Sequence, residues 1–319
     1  MPKTSTDPIR HALNGPTMGT RWSALFYADA GLDTMPVQEA LQMAVAEVDA
    51  AMSTWQPDSD LMRLNRALEN TWVAVPAGLA EVLDLGIRIG AASGGAFDIG
   101  MGDAVRAWGF GPEAASIGSI RAAMVAARRP IHEVLEIDRV AGLARKHAPF
   151  ALDLNGIAKG YGVDKLAGTL LGFGITAFLV GIDGEMRASG LRPDGMPWTV
   201  AVETPDPERR TPHSIFSLEN AAVATSGDYR HYLTVQGQCL SHTMDPATGG
   251  PLRSSPASVT VVARTCAEAD AWASALMVLG PEAGGKLASS VGLNALFLMR
   301  KTGGIRTHAV GALFDNSML

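Results

Sequence analysis

Apolar positions recur along this chain with two different periods. Val37, Leu41, Val45, Val48 and Met52 fall on one face of a helix. The segment Met52-Ser-Thr-Trp-Gln-Pro-Asp-Ser-Asp60 then breaks into a polar loop. Leu79, Val82, Leu83 and Ile87 mark a second amphipathic helix, ended by Gly94-Gly95, residues suited to a helix C-terminus. In the second half, residues 177–182, 199–203, 258–263 and 294–299 are short β-rich runs between glycine and proline turns. Helices are predicted over 158–171 and 267–279. Strands and helices mix without a regular βαβ period, which predicts an α+β fold rather than a doubly wound sheet. No repeat and no linker of disordered composition divides the chain. The expected organisation is a short tail over residues 1–14 and one domain over 15–319.

Composition narrows the function classes. With 47% hydrophobic and 18% charged residues, the chain can bury a substantial core, which excludes disorder. Glycine, at 35 of 319 residues, exceeds the usual ~7% without a Gly-X-Y period, so tight turns and close backbone approaches are expected. A net charge of −6 argues against a nucleic-acid protein, which presents a basic face. Cys239 and Cys266 make no motif and are read as buried free thiols. No apolar stretch reads as a signal peptide or membrane span. The sequence as it stands is expected to be cytoplasmic, or periplasmic if a leader has been removed.

Several chemistries lack their signatures. There is no P-loop, no His-Glu-x-x-His and no Gly-x-Ser-x-Gly. Gly100 and Gly102 form a Gly-x-Gly, but Val105 stands where a dinucleotide fingerprint needs its third glycine. The seven histidines are scattered, so any metal should be a hard, oxygen-liganded one.

Four groups of residues carry candidate chemistry. Asp270 and Ser274 are four apart on a predicted helix, so a carboxylate and a hydroxyl share one face and could supply two ligands to Mg²⁺. Taken alone, such a pair is commonly a solvated helix face. Leu152-Asp-Leu-Asn-Gly156-Ile-Ala-Lys159-Gly-Tyr-Gly-Val-Asp164 reads as a strand end, a glycine turn and a helix start, a junction that exposes backbone groups to an ion or phosphate. Lys159 in the first turn opposes the helix dipole, which asks for a reason other than helix stability. Two segments dense in hydroxyls and turn formers follow, 224–230 and 241–249; the second carries His242, a possible acid or base. Finally, Gly15-Pro-Thr-Met18-Gly-Thr20 with Trp22, and Gly95-Ala-Phe-Asp98 leading to Trp108-Gly-Phe110, could wall a flat ring or belong to the core.

In order and spacing these segments resemble the ApbE family of FAD:protein FMN transferases. The resemblance runs through Met18-Gly-Thr, Met52-Ser-Thr-Trp55, Ala96-Phe-Asp98, Trp108-Gly-Phe and Asp153-Leu-Asn-Gly-Ile-Ala-Lys-Gly-Tyr. It continues in Thr225-Ser-Gly-Asp-Tyr-Arg, His242-Thr-Met-Asp-Pro-Ala-Thr-Gly and Ala269-Asp-Ala-Trp-Ala-Ser-Ala-Leu, covering about residues 15–280. It implies a two-lobed α+β fold with a core related to the tunnelling fold and FAD in the cleft between lobes. By position it implies Mg²⁺ on the Gly156 carbonyl, the Asp270 carboxylate and the Ser274 hydroxyl. FAD, as substrate, would contact Met18, Trp55, Ala96, Phe97, Asp98, Asp153, Lys159 and Met244. His242 and Asp270 are the candidate catalytic residues.

The implied reaction is attack by a threonine hydroxyl of an acceptor flavoprotein on the FMN-side phosphorus of FAD, with release of AMP. An FAD pyrophosphatase would use the same pocket with water as acceptor, and a non-catalytic FAD-binding protein is the alternative from another class. This chain departs from many members in having Ser274 for threonine, from some in having Ala273 for a second aspartate, and from exported relatives in lacking a lipid-modified cysteine. Weaker metal binding is expected from the first two departures.

Overall fold

The computed structural model describes residues 7–229, 232–235, 238–252 and 256–315; within these, the side chains of 232–235, 238–240 and 315 are not described. Arg230 therefore lies outside the described residues, as does the side chain of Cys239.

Among the described residues, eight strands form one open sheet: β1 (Ile9–Thr17), β2 (Thr20–Ala28), β3 (Phe178–Ile182), β4 (Glu185–Ser189), β5 (Ala222–Gly227), β6 (Ser258–Ala263), β7 (Asn294–Lys301) and β8 (Gly304–Val310). Their order in space is their order along the chain, and every neighbouring pair is antiparallel. The sheet is thus a meander interrupted by insertions, and it does not close into a barrel.

The longest insertion separates β2 from β3. It contains α1 (Met35–Met52), α2 (Asp60–Arg66), α3 (Ala77–Ala92), α4 (Gly102–Ala107), α5 (Ile117–Val125), α6 (Ile131–Val134) and α7 (Ala158–Gly172). The last long helix, α8 (Cys266–Ser290), connects β6 to β7. It is kinked where Gly280 adopts φ 72° and ψ 178° before Pro281, which has no amide hydrogen to continue the ladder.

The period-2 pattern divides the sheet's faces. Trp22, Ala24 and Phe26 of β2, with Phe178, Val180 and Ile182 of β3, pack against Val37, Leu41 and Val45 of α1 and Val163, Leu166 and Leu170 of α7. Leu25, Tyr27 and Leu179 point the other way, toward Trp198, Val200, Phe216 and Leu218 of a hairpin formed by Trp198–Glu203 and Pro212–Leu218. A third cluster joins α3 and the inner face of α8 to Val259, Val261, Ala295 and Phe297 of the sheet, so the insertion and the sheet share one continuous core.

Several sequence expectations are revised. Residues 9–14, expected as tail, form most of β1, because they pair in register with Ser23 to Ala28. The segment before Asp153 is not a strand end. Its backbone groups are taken by loop and side-chain partners instead: Asn65 accepts from Leu152 N at 2.7 Å and donates to Leu152 O at 2.9 Å, while Gly102 N donates to Ala151 O. The hydroxyl-rich Thr225-Ser226-Gly227 lies within β5. Trp22 is fully buried under α1, where its indole N–H donates to Gln42, so it walls no pocket.

Candidate functional site

Two helices set the site's frame by capping each other. Asp164, on α7, accepts hydrogen bonds from Cys266 N and Ala267 N at the start of α8, each at 2.9 Å. Asp270, on α8, accepts from Gly160 N in the first turn of α7 at 3.1 Å. Each carboxylate satisfies amide donors that the other helix leaves unpaired and meets the positive end of its dipole. The helices can approach this closely because position 160 is glycine. A β-carbon there would lie 2.7 Å from the carbonyl carbon of Cys266 and 2.9 Å from the Ala267 Cα.

Asp270 is therefore no solvated face residue; it is only 5% exposed. Its carboxyl is pushed up to about 7 by burial and by the neighbouring Glu185, with Lys159 and the Gly160 amide opposing. One turn later, Ser274 Oγ lies 3.1 Å from Ser226 Oγ of β5. Gly156 presses on the same hydroxyl, since a β-carbon at 156 would stand 2.9 Å from Ser274 Oγ. The three residues implied as metal ligands are thus gathered from a turn and a helix that begin 110 residues apart in sequence. They supply oxygen donors only, the set suited to a hard divalent cation. Among the described residues, no group of three His, Cys, Asp or Glu side chains is placed to hold a metal by itself.

The lysine at the start of α7 finds its reason here. Lys159 Nζ lies 2.8 Å from Glu185 Oε1 and 3.9 Å from Asp183. Burial works against the charged ammonium, but Glu185, Asp270 and Asp183 outweigh it and hold the Lys159 pKa above its usual value. Glu185 comes from the β3–β4 hairpin, in which Ile182 pairs with Glu185 around the two-residue turn Asp183-Gly184. The sequence does not mark Glu185, and it marks Ser226 only as one of the hydroxyls of the segment 224–230. An Asp-Gly between two β-rich runs is a strong hairpin signal and could have pointed to Glu185.

These groups open into a cleft of about 950 Å³, between the long insertion on one side and the sheet on the other. The residues implied as FAD contacts, metal ligands or catalytic groups all line it: Met18, Trp55, Ala96, Phe97, Asp98, Asp153, Gly156, Lys159, His242, Met244, Asp270 and Ser274. Met18 sits at the tip of the β1–β2 hairpin, where Thr17 pairs with Thr20 and Met18-Gly19 adopt φ of 46° and 72°. A two-residue turn of this kind requires positive φ at both positions, and glycine supplies only one of them. The methionine is held in a strained conformation at the cleft, where its Cε would lie 3.4 Å from a β-carbon on Gly162 of α7.

The other walls are built locally. Trp55 stands at the rim, 61% exposed, after the break that ends α1. Gly94 and Gly95, both left-handed, reverse the chain after α3, and Ser93 Oγ accepts from Phe97 N to fix Phe97 in the wall. Asp98 accepts from Gly100 N at 2.7 Å, and burial raises its pKa. Asp153 accepts from the backbone and side-chain amides of Asn155. Burial pushes the Asp153 carboxyl up to about 6, against the Asn155 amide.

His242 follows Ser241, whose Oγ accepts from Thr243 N, and its ring meets Phe110 edge-on at 6.4 Å. The indole N–H of Trp108 donates to Gly249 O, tying the far end of this segment to α4. Phe110 lines the cleft and Trp108 does not, so the Trp108-Gly-Phe110 motif contributes one wall and one anchor.

The ApbE family model matches residues 18–297. The chain is similar to the FAD:protein FMN transferase of Vibrio cholerae, with 36% identity over 299 residues, covering 93% of this chain and 90% of that protein. It is 33% identical over 296 residues to the protein of the same name from Escherichia coli strain K12, covering 91% and 84%. Among solved structures, the flavin transferase ApbE from Vibrio cholerae superposes with a TM-score of 0.85 at 33% identity, covering 98% of this chain and 100% of that one. The apo form of the Pseudomonas stutzeri flavinyl transferase ApbE does so with the same score and identity, covering 97% of each.

Proposed function

The chain belongs to the ApbE family, and from that premise we propose that it is a Mg²⁺-dependent FAD:protein FMN transferase acting on a threonine of an acceptor flavoprotein. The observation that carries this reading is the convergence on one cleft of all the residues implied as FAD contacts, metal ligands or catalytic groups. At about 950 Å³ it is near the upper end of the ~300–1,000 Å³ usual for ligand pockets, as a dinucleotide needs.

The residues divide the work. Met18, Ala96, Phe97 and Met244 offer apolar and sulfur surface to the flavin ring, with Trp55 at the rim. Lys159, held as a cation by its carboxylate neighbours, would meet the diphosphate. Asp270, Ser274 and the backbone of Gly156 would hold Mg²⁺. When bound, the ion neutralises charge on the diphosphate and on the departing phosphate oxygen. Burial of Asp270 fits this role, because an ionised carboxylate shut away from water gains most from a cation.

In the transfer, the threonine oxygen forms a bond to the FMN-side phosphorus and the bridging P–O bond breaks, releasing AMP. The hydroxyl proton needs an acceptor, and an imidazole such as that of His242, on the cleft wall, is the kind of group suited to take it.

The test is to incubate the protein with FAD, Mg²⁺ and a candidate acceptor, following acceptor mass and AMP together. A mass gain of one FMN group with equimolar AMP is expected. AMP and free FMN without acceptor modification would instead identify a pyrophosphatase, and neither product would identify a carrier.

A further inference from the structure

A lysine ammonium sits in a site read above as one for a divalent cation, and the two positive charges compete for the same carboxylates. Lys159 nevertheless makes its ion pairs with Glu185 and Asp183, and Asp270 is not among them. The separation is a matter of geometry. Strand pairing of Ile182 with Glu185 places Glu185 at the base of a two-residue turn, facing the first turn of α7. Glu185 is only 3% exposed, and its second oxygen is buried without a hydrogen-bond partner. A buried ion pair with half its acceptor capacity unused is a poor source of stability, so its position asks for another reason.

We propose that Glu185 is a positioning residue that holds the Lys159 ammonium away from Asp270 and so leaves the Asp270 carboxylate open to the divalent cation. Without the Glu185 charge, two carboxylates remain for a long, flexible side chain. Asp183 is on a partly exposed turn, where water and salt weaken attraction. Asp270 is buried, where attraction is stronger. The ammonium would therefore move onto Asp270 and occupy it. This inference rests on the Mg²⁺ reading of Asp270 and Ser274.

The experiment uses the full chain without FAD or acceptor, so that binding and catalysis are not confused. Mg²⁺ binding is measured by calorimetry, and Mn²⁺ binding, as its spectroscopic stand-in, by electron paramagnetic resonance. Glu185→Gln, which keeps size and one acceptor oxygen, should weaken both ions about tenfold, a loss typical of residues that orient a metal ligand's surroundings. In a Lys159→Met background the same substitution should change affinity by less than about twofold, because no ammonium remains to be held.

An equal loss in both backgrounds would overturn the proposal, since Glu185 would then act only through its own negative charge. No loss in the native background would overturn it as well. Glu185→Asp, which keeps the charge but shortens the reach, should give an intermediate loss. It replaces Glu185→Gln should that variant not fold, and Lys159→Gln replaces Lys159→Met on the same ground. Asp270→Asn separates the two readings. If it binds Mn²⁺ as well as the native protein, or if the native protein binds neither ion, the metal reading falls and the inference with it. If Asp270→Asn abolishes binding while Glu185→Gln has no effect, the Glu185 inference alone falls.

Discussion

Gly160→Ala is the substitution that most directly tests how the site is held together. The new methyl would meet backbone of α8, 2.7 Å from the carbonyl carbon of Cys266 and 2.9 Å from the Ala267 Cα. Carbon atoms prefer to stay ~3.5–4.0 Å apart, so α7 and α8 must separate by about 1 Å. Backbone cannot turn aside as a side chain can, and such overpacking costs about 1–3 kcal/mol. The same movement stretches the 3.1 Å hydrogen bond from Gly160 N to Asp270, a bond to a charged group worth about 1.5–3 kcal/mol. Against these stands the usual gain of about 0.5–1 kcal/mol for replacing a helical glycine by alanine. The net loss should be about 2–5 kcal/mol.

Gly168, on the exposed side of the same helix, is the control, because a β-carbon added there would meet nothing within 4 Å. At this position alanine should stabilise by about 0.5–1 kcal/mol, since only the propensity gain applies. Denaturant unfolding of both variants, with AMP release measured alongside, gives the comparison. Gly160→Ala should unfold at lower denaturant and lose most transfer, and Gly168→Ala should do neither. If the two variants agree within about 0.5 kcal/mol, the close approach of the helices is not what the site depends on.

Three further outcomes are expected. Asp270→Asn preserves an acceptor for Gly160 N but removes the charge, so the variant should stay folded, lose Mg²⁺-dependent transfer, and no longer gain thermal stability on Mg²⁺ addition, which the native protein should do. Ser274→Thr keeps the hydroxyl with a stiffer rotamer and should preserve activity, whereas Ser274→Ala should raise the Mg²⁺ concentration for half-maximal transfer; equality of Ala with the native protein would remove Ser274 from the metal site. For Asp153, whose folded carboxyl is raised to about 6 from 3.8, the associated stability is fully present below about pH 4 and is lost as pH rises through 6, by no more than about 3 kcal/mol. Unfolding free energies at pH 4.5 and 7.5 should therefore fall more steeply with pH in the native protein than in Asp153→Asn.

Much of this protein was legible along the chain. The helical face of Val37, Leu41, Val45, Val48 and Met52 is the buried face of α1, and the β-rich run 258–263 is β6 residue for residue. Side-chain period depends only on local backbone geometry, which is why these elements can be read without a partner. The motif residues were legible for a related reason: chemistry restricts residue type at each position, and their order survives in the sequence wherever the chain carries them in space.

What the sequence left open belongs to long-range contact. Asp270 reads as one polar residue on a helix; that it is buried and caps another helix is decided by α7, whose glycine admits it. Lys159 reads as a misplaced charge until a hairpin 26 residues later brings Glu185 to it. Asn65 carries no catalytic signature, yet its amide replaces a strand partner for Leu152, next to Asp153, across a separation of 87 residues. A polar or charged group declares its chemistry in the sequence, but its energy depends on what shields and opposes it. Those neighbours are chosen only when the sheet and helices pack.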